Sequence, residues 1–209
     1  FGKAPQGAQL TEVEKSPHYR DGKFENTLPT PGFTGKKNML AAWWDFLVTK
    51  RENARPQQPL PMVQTDLASL PVDQDTLVWM GHSSWYLQLA GKRILIDPVL
   101  SNYAAPFSFL NKAFAGNDAW TAQSLPEIDL LIISHDHYDH LDYATIKALM
   151  PKIKQVVTPL GVGSHLRYWG MNPDIIHEAD WQQHVAISDE LTVHVLPARH
   201  FSGRGLKRN

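Results

Sequence analysis

The sequence predicts an α+β domain in which one sheet carries helices on a single face. Three short runs that suit strands, at 76–80, 85–89 and 93–96, begin the domain, and a tight turn joins the last two. Beyond residue 128, further strand candidates alternate with a few helices. A sheet of this kind leaves its second face apolar and exposed, so the sequence also predicts a partner that covers it.

The first 74 residues are predicted to form an extended arm, because they contain eight prolines and several glycines. A single short helix is expected in the arm over 38–50, with Asn38 as its N-cap. Four apolar side chains recur in this helix at helical spacing: Leu40, Trp43, Trp44 and Leu47. The composition changes at residue 75, so the chain is divided into an arm, 1–74, and a domain, 75–209.

Within the domain, a loop over 98–125 is long enough to indicate a functional role. A strand over 129–134 then leads to a helix over 143–150, with Asp142 as its N-cap. The remaining predicted elements are a strand at 155–158, a helix at 162–169, and strands at 174–177, 183–187 and 192–196. The basic tail over 202–209 is interpreted as a flexible, protease-sensitive loop.

The composition argues against several classes of function. A net charge of −1 without a basic stripe argues against a nucleic-acid partner. The absence of cysteine excludes disulfides, thiolate zinc sites and a cysteine nucleophile. The sequence contains no apolar run of about 20 residues, as a membrane-spanning helix requires. A start at Phe1 rather than Met suggests a preceding segment, and the location stays open: a membrane surface or the cell envelope is favoured, and the cytoplasm is compatible.

A dense group of metal-binding side chains follows the strand at 129–134. His135, His137, Asp139 and His140 form an H-x-H-x-D-H motif within six residues. A spacing of two suits a strand end with both rings on one side, rather than a helix face. Asp139 and His140 can then turn toward a second ion about 3.5–4 Å from the first. This donor set favours zinc, with iron or manganese compatible; the alternative is a solvated polar turn.

Three residues outside the motif are further candidates. One zinc ion needs at least three protein ligands, and His200 is the best third ligand because it follows the strand at 192–196. Asp97, at the end of the strand at 93–96, either caps a turn or accepts a hydrogen bond from a ligand imidazole. His82 lies between two strands and could reach the rim of the pocket. The remaining histidines are interpreted as structural.

The motif resembles the signature of the metallo-β-lactamase superfamily. Stretches around it resemble the branch of N-acylphosphatidylethanolamine-hydrolysing phospholipases D: Asn26-Thr27-Leu28-Pro29-Thr30, Trp79-Met80-Gly81-His82, Ile96-Asp97-Pro98, Ile133-Ser134-His135, His140-Leu141-Asp142 and Pro197-Ala198-Arg199-His200-Phe201. The likeness extends from the arm to residue 201. It implies a four-layer αββα sandwich with two zinc ions between its two sheets.

By matching positions, the resemblance implies that His135, His137 and His200 bind one ion. Asp139 and His140 then bind the other, and Asp139 also orients the nucleophile. The family has, in addition, a bridging aspartate and a last histidine downstream of the third-ligand strand, which this sequence does not contain. The expectation is therefore that 75–209 form the N-terminal half of the sandwich, completed by a C-terminal fragment or segment of the same protein.

The function implied by the resemblance is zinc-dependent hydrolysis of a phosphodiester bond through a metal-bound hydroxide, with N-acyl phosphatidylethanolamine-like lipids as substrates. Peripheral membrane contact follows from this, and aromatic side chains in 98–125 could form a rim for acyl chains or a lid. One alternative is a lactonase or another ester hydrolase, for which Arg199 and Arg204 could bind an anionic substrate. The second alternative is a non-catalytic zinc-binding scaffold.

Overall fold

The computed structural model describes residues 1–29, 38–49 and 52–204. The helices are α1 (Ala8–Glu14), α2 (Met39–Val48), α3 (Tyr143–Leu149) and α4 (Gly163–Tyr168), with 3₁₀ turns at Met150–Lys152 and Pro173–Ile175. The strands are β1 (Tyr19–Arg20), β2 (Lys23–Phe24), β3 (Thr76–Trp79), β4 (Trp85–Leu89), β5 (Lys92–Ile96), β6 (Leu130–Ile132), β7 (Val156–Pro159), β8 (Ile176–Ala179), β9 (His184–Ala186) and β10 (Thr192–His194). The predicted α+β class is confirmed.

Six strands form the main sheet, in the order β3-β4-β5-β6-β7-β8. The first three pair antiparallel, and the pairs from β5 to β8 are parallel. Parallel neighbours end at the same edge of a sheet, so the loops that follow β5 and β6 emerge side by side. Ile96 stands opposite Ile132 in this register, which fixes the relative position of those two loops.

The first face of the sheet carries the main core. Side chains alternate along β4, where Tyr86 points inward and is fully buried. Leu95 and Leu131 continue this face on the next two strands, and Ile146 of α3 and Leu166 of α4 pack against it. Helices α3 and α4 therefore lie on one face of the sheet, as the sequence predicts. Asp142 caps α3 by accepting a hydrogen bond from the backbone N–H of Ala144 at 3.2 Å.

The second face of the sheet is only partly covered. The β9–β10 hairpin packs over its middle, where Ile94, Leu130 and Val157 form a smaller buried cluster with Leu191. Towards the β3 edge the same face is open, and its outermost apolar side chains are solvent-exposed: Leu77 by 61%, Trp79 by 57% and Leu89 by 38%. The sequence placed β9 and β10 in the same sheet as the other strands, whereas they form a separate hairpin above it.

The arm contains more regular structure than the sequence predicts. The helix α1 and the β1–β2 hairpin were not expected, because α1 has one buried side chain, Val13, and no side-chain N-cap. The arm contacts the domain, since the Oγ of Ser16 donates to Asp180 and the indole N–H of Trp169 donates to the carbonyl of Phe1 at 3.1 Å. The predicted helix α2 is present.

Asn38 caps α2 as expected, accepting a hydrogen bond from Ala41 N–H at 2.8 Å. The predicted end of that helix at Lys50 lies outside the described residues. Most other predicted boundaries shift by one or two residues, which is the usual uncertainty at element ends. No helix in the described parts of the chain has the length and apolar character that crossing a bilayer requires.

Candidate metal centre

The candidate site is built where β5 and β6 end. Asp97 follows β5, and its backbone N–H donates to the carbonyl of Ile132 on β6 at 3.0 Å. The H-x-H-x-D-H motif begins at His135, three residues after β6 ends at Ile132. Just before the motif, the N–H of Ser134 donates to Oδ1 of Asp97 at 2.7 Å. The parallel register of two adjacent strands thus brings a buried carboxylate under the motif.

Three histidines converge at the first cluster. The metal-binding atoms of His135, His137 and His200 all lie within 4.8 Å of one another. The Nε2 of His200 is 3.1 Å from the Nδ1 of His137, and the His135 and His200 ring centroids are 4.5 Å apart. The structure therefore brings together the three histidines that the sequence singled out, although His200 is 63 residues away from His137 along the chain.

A second cluster lies beside the first. It contains His82, Asp139 and His140, whose candidate ligand atoms also lie within 4.8 Å of one another. The Nε2 of His82 is 3.0 Å from the Oδ2 of Asp139, and the Nε2 of His140 is 3.9 Å from the same oxygen. The His135 and His140 ring centroids are 3.9 Å apart, so the two clusters are neighbours.

The residues fit a bound metal ion. The Nε2 of His135 is buried and has no hydrogen-bond partner among the described residues, which costs free energy unless something else binds it. Two nitrogens that each bind one tetrahedral zinc ion at about 2.0–2.1 Å lie roughly 3.3 Å from each other. The Nδ1 of His137 and the Nε2 of His200 are 3.1 Å apart, which is close to that distance. Three imidazoles form a ligand set typical of zinc.

The protonation states of His135 and His137 also favour a bound metal ion. Burial, together with the neighbouring imidazoles of His140, His137 and His200, lowers the pKa of His135 to about 4. Burial also lowers the pKa of His137. Histidine binds a metal through its neutral form, so these side chains are ready to bind near pH 7 without losing a proton.

Asp97 contacts a histidine of the second cluster. Its Oδ2 lies 2.8 Å from the Nδ1 of His140, the geometry of an imidazole N–H that donates to a carboxylate. It also accepts hydrogen bonds from the backbone and side chain of Ser134. Asp97 therefore caps the turn at Ser134 and also fixes the orientation of the His140 imidazole. Its backbone has φ 44°, a strained value for a residue with a side chain, and the network holds it there.

His82 contacts Asp139 from the turn between β3 and β4. The imidazole points at the Asp139 carboxylate while the side chain stays largely solvent-exposed. The turn requires φ 98° at Gly81, where a Cβ would approach the side chain of Asn117 to 2.0 Å, so only glycine fits. The carbonyl of His82 then accepts a hydrogen bond from the indole of Trp79 at 2.9 Å.

The other histidines lie outside both clusters. His18 packs against the ring of Trp181, and His184 faces His194 across the β9–β10 hairpin with ring centroids 5.7 Å apart. His165 is buried on α4, where its Nε2 is 3.6 Å from Asp136.

Sequence reasoning missed a buried network beneath the motif. Asp136, the variable position between two candidate ligands, is only 4% exposed, and Arg204 is 6% exposed. The interpretation of 202–209 as a flexible tail is therefore wrong for Ser202 to Arg204, while 205–209 lie outside the described residues. The available signal was the alternation of the motif itself. If His135 and His137 point to one side of the chain, the residue between them points to the other side, which here is the interior.

A sequence model of the β-lactamase superfamily domain matches residues 92–209, which is more than half of the chain. The chain belongs to the β-lactamase superfamily. The sequence prediction of that membership is confirmed.

Several relatives of this superfamily member are similar over most of its length. An uncharacterized protein of Mycobacterium tuberculosis is 40% identical over 198 residues, covering 94% of this chain and 53% of its own. The N-acyl-phosphatidylethanolamine-hydrolyzing phospholipase D 1 of Caenorhabditis elegans is 29% identical, covering 90% and 57%. A metal-dependent hydrolase of Caldivirga maquilingensis is 29% identical, covering 62% and 50%. The chain spans about half the length of the curated relatives it matches.

Replacing Asp97 should weaken metal binding by this superfamily member. In Asp97→Asn, the amide no longer offers His140 a charged acceptor, so that imidazole loses its fixed orientation. Removing such an outer partner typically lowers metal affinity by about 10–100-fold, which a competition titration with a chelator would measure. Asp66→Asn is the matched control, because Asp66 also caps a turn but contacts no imidazole. Equal metal affinity in both variants would contradict the role of Asp97.

Proposed function

We propose that this protein is a metal-dependent hydrolase of phosphodiester bonds, with N-acyl phosphatidylethanolamine-like lipids as its substrates. The observation that carries the proposal is the pair of adjacent ligand clusters at one sheet edge, each with three candidate ligands. Two neighbouring ions are typical of enzymes that cleave phosphate esters. The Caenorhabditis elegans relative is named as an N-acyl-phosphatidylethanolamine-hydrolyzing phospholipase D, which supports the substrate class.

In this proposal, His135, His137 and His200 hold one ion, and Asp139 and His140 hold the other. Zinc suits these donors best, and iron or manganese are compatible with them. When bound, the ions supply a hydroxide nucleophile near neutral pH and neutralise charge on the phosphate oxygens.

Asp139 is the residue proposed to orient the nucleophile. Burial alone raises the pKa of this carboxyl, but its own backbone N–H, His140 and His82 outweigh burial, and the net pKa lies below the usual value. Asp139 is therefore an anion near pH 7. The imidazole of His82 holds its Oδ2 at 3.0 Å, which restricts the carboxylate to one orientation.

The loop between β5 and β6 is proposed to contact the lipid. Some of its aromatic side chains point into solvent: Phe109 is exposed by 71%, and Phe107 stacks on Phe109 with ring centroids 5.7 Å apart. Phe114 and Leu110 are also exposed on this loop. Aromatic side chains at such positions suit peripheral contact with a membrane or with acyl chains.

A further segment of the same protein is proposed to cover the open face of the main sheet. Leu77, Trp79 and Leu89 form an exposed apolar strip there. Apolar sheet faces are stabilised when another layer packs on them, and a second sheet at that place would produce the four-layer sandwich that the family resemblance implies. The greater length of the relatives supports this part of the proposal.

Two observations support this function over the alternatives. Of the two arginines considered for an anionic lactone, Arg204 is buried with its guanidinium donating to backbone carbonyls, so it is not a pocket cation. A structural zinc site is closed by four protein ligands, whereas the described part of the chain gives three histidines to the first cluster. Three protein ligands and an open position are typical of catalytic zinc.

The test is hydrolysis of labelled N-acyl phosphatidylethanolamine in vesicles by the full-length, zinc-loaded protein. Release of phosphatidic acid, lost on chelation and restored by added zinc, is the expected result. A lactone and a thioester serve as parallel substrates. Cleavage of either of those, without release of phosphatidic acid, would overturn the lipid assignment and leave only the metal chemistry.

A further inference from the structure

A buried network fastens the segment after β10 to the metal motif. We call it the latch and define it as Asp136, Ser202, Gly203 and Arg204. The Oγ of Ser202 donates to Oδ2 of Asp136 at 2.6 Å, and the backbone N–H of Gly203 donates to Oδ1 at 3.1 Å. Both carboxylate oxygens of Asp136 are thus occupied by one short stretch of chain.

Arg204 closes the latch from the other side. Its Nη1 donates to the carbonyl of Asp136 at 3.0 Å and also to the carbonyl of Leu141, so one guanidinium bridges both ends of the motif loop. The guanidinium lies over the ring of Tyr138, 4.1 Å from its centroid, and the Tyr138 hydroxyl donates to the carbonyl of Arg204 at 3.0 Å. Cation–π contact of this kind is favourable for a desolvated arginine.

The position of the latch follows from strand geometry. His135 and His137 point to one side of the extended motif, and the residue between them points to the other. Asp136 therefore faces the interior beneath the cluster, where His165 on α4 lies 3.6 Å from it. A buried carboxylate is retained at low cost only when it is fully hydrogen-bonded, and the latch provides those bonds.

His200 sits immediately before the latch. Only Phe201 separates it from Ser202, and on its other side the N–H of His200 donates to Oδ1 of Asn26 in the arm at 3.1 Å. The imidazole itself is solvent-exposed, so side-chain packing does not fix its place. Backbone anchors on both sides set the distance from His200 to His137.

We propose that Asp136 and Arg204 are positioning residues that complete the first metal site by holding the segment that carries His200 against the motif. This inference rests on the proposed metal site but not on the identity of the substrate. It assigns a role to the position between the two histidines of the motif: the side chain that does not face the metal holds the third ligand in place. Substitution of either residue should weaken one ion and spare the other.

The experiment compares Asp136→Asn with wild type in the full-length protein, using zinc alone. Competition with a chromophoric chelator should show one of the two bound ions weakened by about 10–100-fold, the range seen when outer partners of metal ligands are removed. Hydrogen exchange at the Gly203 amide should accelerate in the same variant, because its acceptor has lost its charge.

Asp129→Asn is the matched control. Asp129 also accepts hydrogen bonds, from the backbone of Arg93 and from Lys154, but it lies at the opposite end of β6 from the motif. The control should lose the charge of a hydrogen-bonded carboxylate without any change in zinc affinity. This separates a positioning role from a general loss of stability.

A second variant keeps the motif intact. Ser202→Ala removes one donor to Asp136 and should weaken the same ion by a smaller factor, and the double variant should show less than the product of the two factors. Wild-type zinc affinity for both ions in Asp136→Asn would overturn the proposal, as would a wild-type protein that binds no zinc. A protein that binds zinc as described but cleaves no lipid would overturn the proposed substrate and leave the latch standing.

Discussion

Asp139→Asn is expected to lower kcat/KM for phosphodiester hydrolysis by on the order of 10³-fold, or about 4 kcal/mol in activation free energy. Asparagine keeps the size of the side chain but removes the negative charge that the second cluster supplies. In the structure that charge is held against His82 at 3.0 Å and near His140 at 3.9 Å. The variant therefore loses both an anionic ligand and the group proposed to orient the nucleophile.

The measurement is steady-state hydrolysis together with the zinc content of the purified variant. Asp129→Asn is a suitable control here too, because it replaces another ion-paired carboxylate of the same sheet that lies away from the clusters. The control should retain wild-type activity. Full activity in Asp139→Asn would show that the carboxylate takes no part in the reaction, and the two-ion proposal would fail with it.

His200→Ala is expected to remove one zinc ion per chain and to lower activity by a similar factor, on the order of 10³-fold. The first cluster has three histidines among the described residues, so loss of one leaves fewer ligands than catalytic zinc sites use. Because His200 is exposed and its ring contacts no buried core, the free energy of unfolding in the absence of zinc should change little.

Metal analysis and chemical denaturation of the metal-free protein check this prediction. His194→Ala is the matched control, since His194 is an exposed histidine of β10, six residues earlier in the sequence, that faces only His184 among the described ring pairs. Two zinc ions bound to His200→Ala as tightly as to wild type would exclude His200 from the site. A large loss of stability without zinc would instead give it a structural role.

Much of the fold could be predicted because the signals are local. The alternation of buried and exposed residues in β4, and the helical spacing after Asp142, reflect contacts between residues close in sequence. The arm was harder to predict. Helix α1 buries one side chain and has no side-chain cap, so no local pattern distinguishes it from an extended segment.

The candidate site also has a part that local sequence patterns predict and a part that they do not. Four candidate ligands stand within six residues and were found together, because the spacing of His135 and His137 already places both rings on one side. The contact between His82 and Asp139, 57 residues apart, was not part of the sequence prediction. The contact depends on a strained turn with positive φ at Gly81 and His82. The local sequence pattern does not predict in which direction that turn points the imidazole.

The sequence by itself determined the class of the fold, the position of the motif at a strand end and the chemical nature of its donors. These depend on side-chain chemistry and on repeats of two or 3.6 residues, which act over a few positions. Only the tertiary structure decided which distant groups meet the motif. Arg204 binds the backbone of Asp136 across 68 residues, and Asp97 reaches His140 across 43. The Asp97 contact arises from the parallel register of β5 and β6, which ends both strands at one edge of the sheet. The Arg204 contact arises because the segment after the separate β9–β10 hairpin returns to the motif.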